Sequence, residues 1–244
     1  MRTFALQSVV ERRLLVNYRV EREPLAQLLP AGLRPQLVHG WAVAGICLLR
    51  LGRVRPHALP GRWGLGSENA AHRIAVEWDT PDGPASGVYI HRRDSASLAN
   101  VIAGGRVFPG AHGHARFDVT ETASSLQVRC ATTDGSTWAD VAGAIVPELP
   151  ASRLFADVAE ASEFFRRGSD GYSTARTGGL DGMRLCTDSW RVRPVQIDYA
   201  RSSFFEDATR FPHGTATLDC ALVMTAVPAR WEPLPPLALA PVAG

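Results

Sequence analysis

Lysine is absent from this sequence. All 26 of its Lys+Arg positions are arginine. A Schiff base to a carbonyl substrate or to pyridoxal phosphate needs a primary amine that can lose its proton. The guanidinium stays protonated in proteins and cannot replace that amine. The abundance of Ala, Gly, Arg and Pro points to codon bias as the origin of the absence, but the chemical exclusion stands. Cysteine is sparse as well: Cys47, Cys130, Cys186 and Cys220 lie far apart, with no Cys-x-x-Cys pair. That spacing argues against a zinc ribbon and a disulfide framework. Cys47, Cys130 and Cys220 sit in apolar strand-like runs and read as core residues or free thiols. Long apolar runs are missing too. The stretch near Trp41 to Leu51 is broken by Gly45 and Arg50 and is too short to span a bilayer. Met1 to Leu15 carries Glu11, Arg12 and Arg13 and has no signal-peptide core, so a cytoplasmic location is expected. Net charge is only +2, and arginine pairs such as Arg12-Arg13, Arg92-Arg93 and Arg166-Arg167 form no basic tract. Nucleic acid and membrane are therefore not expected as partners. There is no Gly-x-Ser-x-Gly elbow, phosphate loop or dinucleotide-binding fingerprint.

What remains is an ordinary globular composition, 45% apolar and 20% charged over 244 residues, enough for one large domain. The strand signal dominates. Alternation predicts strands over Ser8–Val20, Ala70–Asp79 and Ser86–His91, the last two joined by the turn Pro81-Asp82-Gly83-Pro84. Further strands are predicted over Val38–Leu51, His112–Thr120, Leu126–Thr132 and Thr215–Val227. Met183–Ser202 reads as two strands joined near Pro194. Helical spacing predicts helices over Glu23–Leu29, Ser95–Ala103 and Asp157–Arg167. Residues 56–66 read as a Pro/Gly loop, and Ser169–Ser173 as a turn-rich helix exit. The expected fold is α+β and mainly β: a single antiparallel β-barrel with flanking helices over residues 1–231. A Pro-rich tail, running over the surface or disordered, is expected over 232–244.

Several segments, in order, carry a resemblance. "VNYRVEREPLAQLLPAGLRP" (16–35) leads from a Tyr-Arg strand into a short helix ending Leu-Leu-Pro-x-Gly-Leu. It is followed by "SENAAHRIAVEW" (67–78), "GVYIHRRDSASLANVIAGGRVFPGAHG" (87–113), "FFRRGSDGYS" (164–173) and "RSSFFED" (201–207). Over residues 8 to 231 this order resembles the acetoacetate decarboxylase-like superfamily, and its uncharacterised YqjF-like branch in particular. The resemblance implies a catalytic role for Glu68, which stands at the family's glutamate before the third strand. It also implies an amine-bearing Pro-Lys-Lys-x-Gly motif, yet the chain reads Pro109-Gly110-Ala111-His112-Gly113. The family's imine chemistry, in which a neighbouring cation activates the nucleophilic lysine, cannot operate here. Fold and cavity can be shared where the reaction is not.

Other candidate residues come from type and spacing. His112 and His114 alternate on one strand and can face one side as acid or base. With His72 or His91 as a third donor they can hold a metal, although the spacing carries no metal signature and none is assigned. Arg73, His91, Arg92 and Tyr172 are candidates for substrate binding, an arginine being a natural clamp for a carboxylate. Arg92 and Arg93 face opposite sides of their strand, so one of the two can enter a cavity. The function expected is a small-molecule barrel for a carbonyl or carboxylate compound: a lyase, hydratase or cyclase using Glu68, His112 and His114 without a Schiff-base lysine and without a cofactor. The alternatives are a non-catalytic ligand-binding protein and a metal-assisted hydrolase. A homo-oligomer is compatible with the sequence.

Overall fold

The structure, a computed structural model, describes residues 5–58, 64–98, 101, 108–175 and 178–237. It is mainly β. The strands are β1 (Leu6–Val20), β2 (Arg34–Pro35), β3 (Leu37–Val38), β4 (Trp41–Pro56), β5 (Leu65–Thr80), β6 (Gly83–Ser95) and β7 (His112–Glu121). They continue with β8 (Ser125–Thr132), β9 (Trp138–Ile145), β10 (Asp170–Thr174), β11 (Leu180–Thr187), β12 (Arg193–Ser202) and β13 (Ala216–Leu237). The helices are α1 (Arg22–Ala26) and α2 (Val158–Arg167).

Five long strands, β13-β1-β4-β5-β6, make a shared wall. From one part of that wall the sheet continues β6-β7-β8-β9-β12-β13 and closes on itself. From another part it continues β6-β10-β11-β13 and closes again. The two circuits are possible because β13 is long: Ala221 to Val223 pair with β12, whereas Ala229 to Leu237 pair with β11. Most pairings are antiparallel; β10–β6 and β6–β7 are parallel.

Because the shared wall is covered on both faces, its strands are apolar at consecutive positions rather than strictly alternating. Leu14, Val16, Ile46, Leu48, Ile74 and Val76 face the core closed by β8, β9 and β12, together with Phe204 and Phe211. Leu15, Val43, Cys47, Ala75 and Leu222 face the other way, against Leu154, Phe155, Ala161 and Phe165. Each such large side chain contributes about 1.5–3 kcal/mol by leaving water. Helix α2 is the cover on that second face. Asp157 caps it by accepting from Glu160 N at 2.8 Å, and Arg166 and Arg167 bond Glu163 in its last turn.

Most expected strands are present with longer bounds. Three expectations are corrected. Residues 232–237, expected as a surface or disordered tail, end β13, and Leu234 and Leu237 pack on the core. Ser169–Ser173, expected as a turn, is largely β10: Gly171 opposes Met183, and a Cβ there would meet Ile90 Cδ1 at 3.1 Å. Ser95 ends β6 rather than beginning a helix, although Leu98 and Val101 are helical and Val101 N bonds Ser97 O. The rest of that predicted helix, 99–100 and 102–103, lies outside the described residues, as do 59–63 of the predicted loop. No helix among the described residues is long and apolar enough to cross a membrane.

Candidate ligand cavity

On the second face of the shared wall, beyond the part covered by α2, the circuit through β10 and β11 encloses a cavity of about 110 Å³. Its apolar wall comes from Leu49, Leu51, Ile90, Met183, Leu185 and Trp231. Its polar wall comes from Arg13 on β1, Asn69 and Arg73 on β5, Arg93, Asp94 and Ser95 on β6, and His112 on β7. The charges in this wall are predominantly positive.

Arg73 is deeply buried, only 3% exposed. It donates from Nη2 to Asn17 Oδ1 and lies with its guanidinium carbon 4.6 Å from the Phe165 ring centroid. A Cβ at Gly45, the residue paired with Arg73, would lie 2.3 Å from Val16 O and 3.3 Å from Asn17 Oδ1, so only glycine fits beside this pair. Burial draws the Arg73 pKa down to about 10, partly offset by Cys47, with Arg13 adding to the fall and Cys220 opposing it. It stays charged at neutral pH. Its Nε is buried and meets no hydrogen-bond partner among the described residues, and the same is true of Arg13 Nη1. Arg13 also stacks on the Trp190 ring at 5.2 Å. Leaving a charged donor buried and unpaired costs several kcal/mol, so two of them in one wall mark a place for an anion.

At the cavity rim, Arg93 Nε donates to Pro109 O at 2.8 Å, and His112 Nδ1 lies 3.0 Å from Gly110 O. Asp94 is buried and accepts from Arg92 Nε at 3.0 Å. Its pKa is raised, chiefly by burial and against the pull of Arg92. Gly113 makes this possible: a Cβ there would sit 2.2 Å from Asp94 Oδ1.

The structure separates the residues chosen from sequence. Arg73 and His112 line the cavity. Glu68 does not. Its neighbour Asn69 does, and a one-residue step along a strand turns the side chain to the opposite face. Glu68 accepts instead from Arg12 and Arg50, which also hold Glu121 at 2.6 and 2.7 Å. This closed quartet ties β1, β4, β5 and β7 together. Arg92 lies across from His72, and Arg93 takes the cavity position. His91 is exposed beside Phe204. Tyr172 is buried in the core of the first face against Trp78. His114 pairs with Ser95 two residues beyond His112 and is not part of the cavity wall. His72 is buried, stacked on Phe204 at 4.7 Å, and burial with His91, Arg210 and Arg92 pushes its pKa down to about 3. Among the described residues no three His, Cys, Asp or Glu side chains gather as metal ligands. The sequence pattern passes over Arg13, Asn69 and Asp94, and leaves open which of Arg92 and Arg93 enters the cavity. The available signal is the strand parity that sets Arg13 beside Leu15 and Asn69 beside Arg73.

The fold is mainly β and similar to that of acetoacetate decarboxylase-like proteins. Acetoacetate decarboxylase from Legionella pneumophila subsp. pneumophila str. Philadelphia 1 superposes with a TM-score of 0.60 at 10% identity, over 97% of this chain and 88% of that one. An acetoacetate decarboxylase-like enzyme from Sphingomonas wittichii RW1 gives 0.59 at 12% identity, over 96% and 93%. The enduracididine biosynthesis enzyme MppR complexed with pyruvate gives 0.62 at 10% identity, over 98% and 91%. No curated protein matches the chain by sequence. The profile of DUF2071, described as an uncharacterized conserved protein, matches residues 8–223, and the chain belongs to that family.

Proposed function

We propose that this chain is an enzyme-type protein that binds a small carboxylate bearing a carbonyl group in the cavity beneath Arg13 and Arg73. The observation that carries this reading is the pair of buried, unpartnered guanidinium nitrogens in the polar wall of the cavity, facing an apolar one. A bound carboxylate supplies the missing acceptor, and the apolar wall takes the rest of the molecule. His112 and Asp94 stand in the same wall as acid–base groups. A structural relative bound to pyruvate supports the ligand class. The reaction class that fits is a lyase, hydratase or cyclase proceeding without a Schiff-base lysine, since the sequence holds none.

A backbone feature agrees with chemistry of a different kind at the amine motif. Gly110 lies at φ +97°, and a Cβ there would be 2.7 Å from Ser173 Cβ. Any side chain at that position, lysine included, is strained.

The test is a thermal-shift series with pyruvate, lactate and propionate against their uncharged amides. The acids raise Tm and the amides do not, and the shift is lost in Arg73→Met. Equal shifts for acids and amides contradict the reading.

A further inference from the structure

The cavity holds one strong nucleophile that the reading above leaves unused, the Cys47 thiol. Its place follows from register. On β4, Cys47 lies level with Leu15 of β1 and Ala71 of β5. Arg13 is level with Leu49, one same-face step along β4 in one direction. Arg73 is level with Gly45, one same-face step in the other. Arg13, Cys47 and Arg73 thus run diagonally across three adjacent strands on one face. Diagonal neighbours of this kind have Cα atoms about 7–8 Å apart, within reach of long side chains. All three line the cavity. The thiol is a free cysteine and about 9% exposed. Arg73, its flanking cation, is itself 3% exposed with an unpartnered Nε. That deeply buried unmet donor is the second, independent sign of a ligand beside the sulfur.

We propose that Cys47 is the nucleophile of this cavity and adds reversibly to the carbonyl carbon of a bound 2-oxo carboxylate, giving a thiohemiketal. The proposal rests on the carboxylate-binding reading above. In the step, the Sγ–C bond forms and the C=O π bond opens. The thiol proton ends on the former carbonyl oxygen. Nothing leaves, and nothing is oxidised or reduced. The guanidinium pair that holds the carboxylate also lies beside the oxygen that gains charge as sulfur attacks, the arrangement that stabilises an oxyanion. Cysteine here takes the covalent part that an amine cannot take in a chain without lysine.

Two probes test it. Native protein is alkylated with iodoacetate or iodoacetamide, and the four cysteines are mapped by peptide mass spectrometry. Free thiols have no preference for the anionic reagent. Cys47 is expected to react about tenfold faster with iodoacetate, because two cations recruit its carboxylate. Pyruvate is expected to protect it, and the preference collapses in Arg13→Met and Arg73→Met. Pyruvate isotopically labelled at its carbonyl carbon is then added. NMR is expected to show a new tetrahedral carbon signal that is absent in Cys47→Ala. Calorimetry with lactate, which has no electrophilic carbon, separates the two claims. If lactate and pyruvate bind but no tetrahedral signal forms, the Cys47 proposal is overturned alone. If neither acid binds, the carboxylate reading fails first. A Cys47 alkylated only after unfolding also overturns the proposal.

Discussion

The Arg73 guanidinium lies against the ring of Phe165, 4.6 Å from its centroid. One residue comes from the shared wall and the other from the helix that covers it, so α2 fixes the cavity's main cation by direct contact. Phe165 is 3% exposed and packs on Phe155 and Phe164. Phe165→Ala therefore costs about 3–5 kcal/mol of stability in denaturant titrations. Phe165→Leu keeps most of the burial and loses the ring. It is expected to weaken carboxylate binding while moving the denaturation midpoint much less.

Glu68 belongs to the ion-pair quartet with Arg12, Arg50 and Glu121, not to the cavity wall. The Arg12 side chain is 2% exposed, so removing a carboxylate beside it leaves a buried charge short of a partner. Glu68→Gln is expected to lower stability by about 3 kcal/mol and to leave the affinity for pyruvate within error of the wild type. Loss of binding without loss of stability would return Glu68 to the ligand site.

His72 gives the protein an acid-side weakness. Burial holds its folded pKa at about 3, against an ordinary histidine value of 6.5. Between those two values the unfolded chain binds the proton and the folded chain does not, so stability falls as pH drops through that window. The loss amounts to a few kcal/mol, since each tenfold change in proton affinity is worth about 1.4 kcal/mol. His72→Leu, measured by urea unfolding across the same window, is expected to flatten this slope.

Gly113 is held small by its neighbours. A Cβ would sit 2.2 Å from Asp94 Oδ1 and 2.6 Å from Arg92 Nη2. Gly113→Ala is expected to break the Arg92–Asp94 pair and to destabilise the protein by about 1–3 kcal/mol, read as a fall in Tm. An unchanged Tm would show that the pair yields freely.

Much of the wall is legible in the sequence. Val16, Tyr18, Ile74, Val76 and Trp78 alternate well enough to locate β1 and β5, and Leu25, Phe164 and Phe165 mark the helices. Strand β9 escapes a pattern reading because its inward residues, Ala139, Val141 and Gly143, are too small to stand out, and β10 because Asp170-Gly171 imitates a turn. Parity shows that Arg92 and Arg93 face opposite ways but not which way the cavity lies. Both faces of the wall are buried, so hydrophobicity does not distinguish them. Glu68 rather than Asn69 draws attention through the family resemblance alone, which the strand pattern neither supports nor opposes. A cavity bounded by β1, β5, β6 and β11 is set by long-range pairing, which local pattern does not encode.

The most direct test of the account is a crystal structure with pyruvate bound. A carboxylate oxygen within hydrogen-bond reach of both Arg73 Nε and Arg13 Nη1, with the rest of the ligand against Leu185 and Met183, is the expected result. Pyruvate seated elsewhere, at concentrations that saturate the thermal shift, would contradict it.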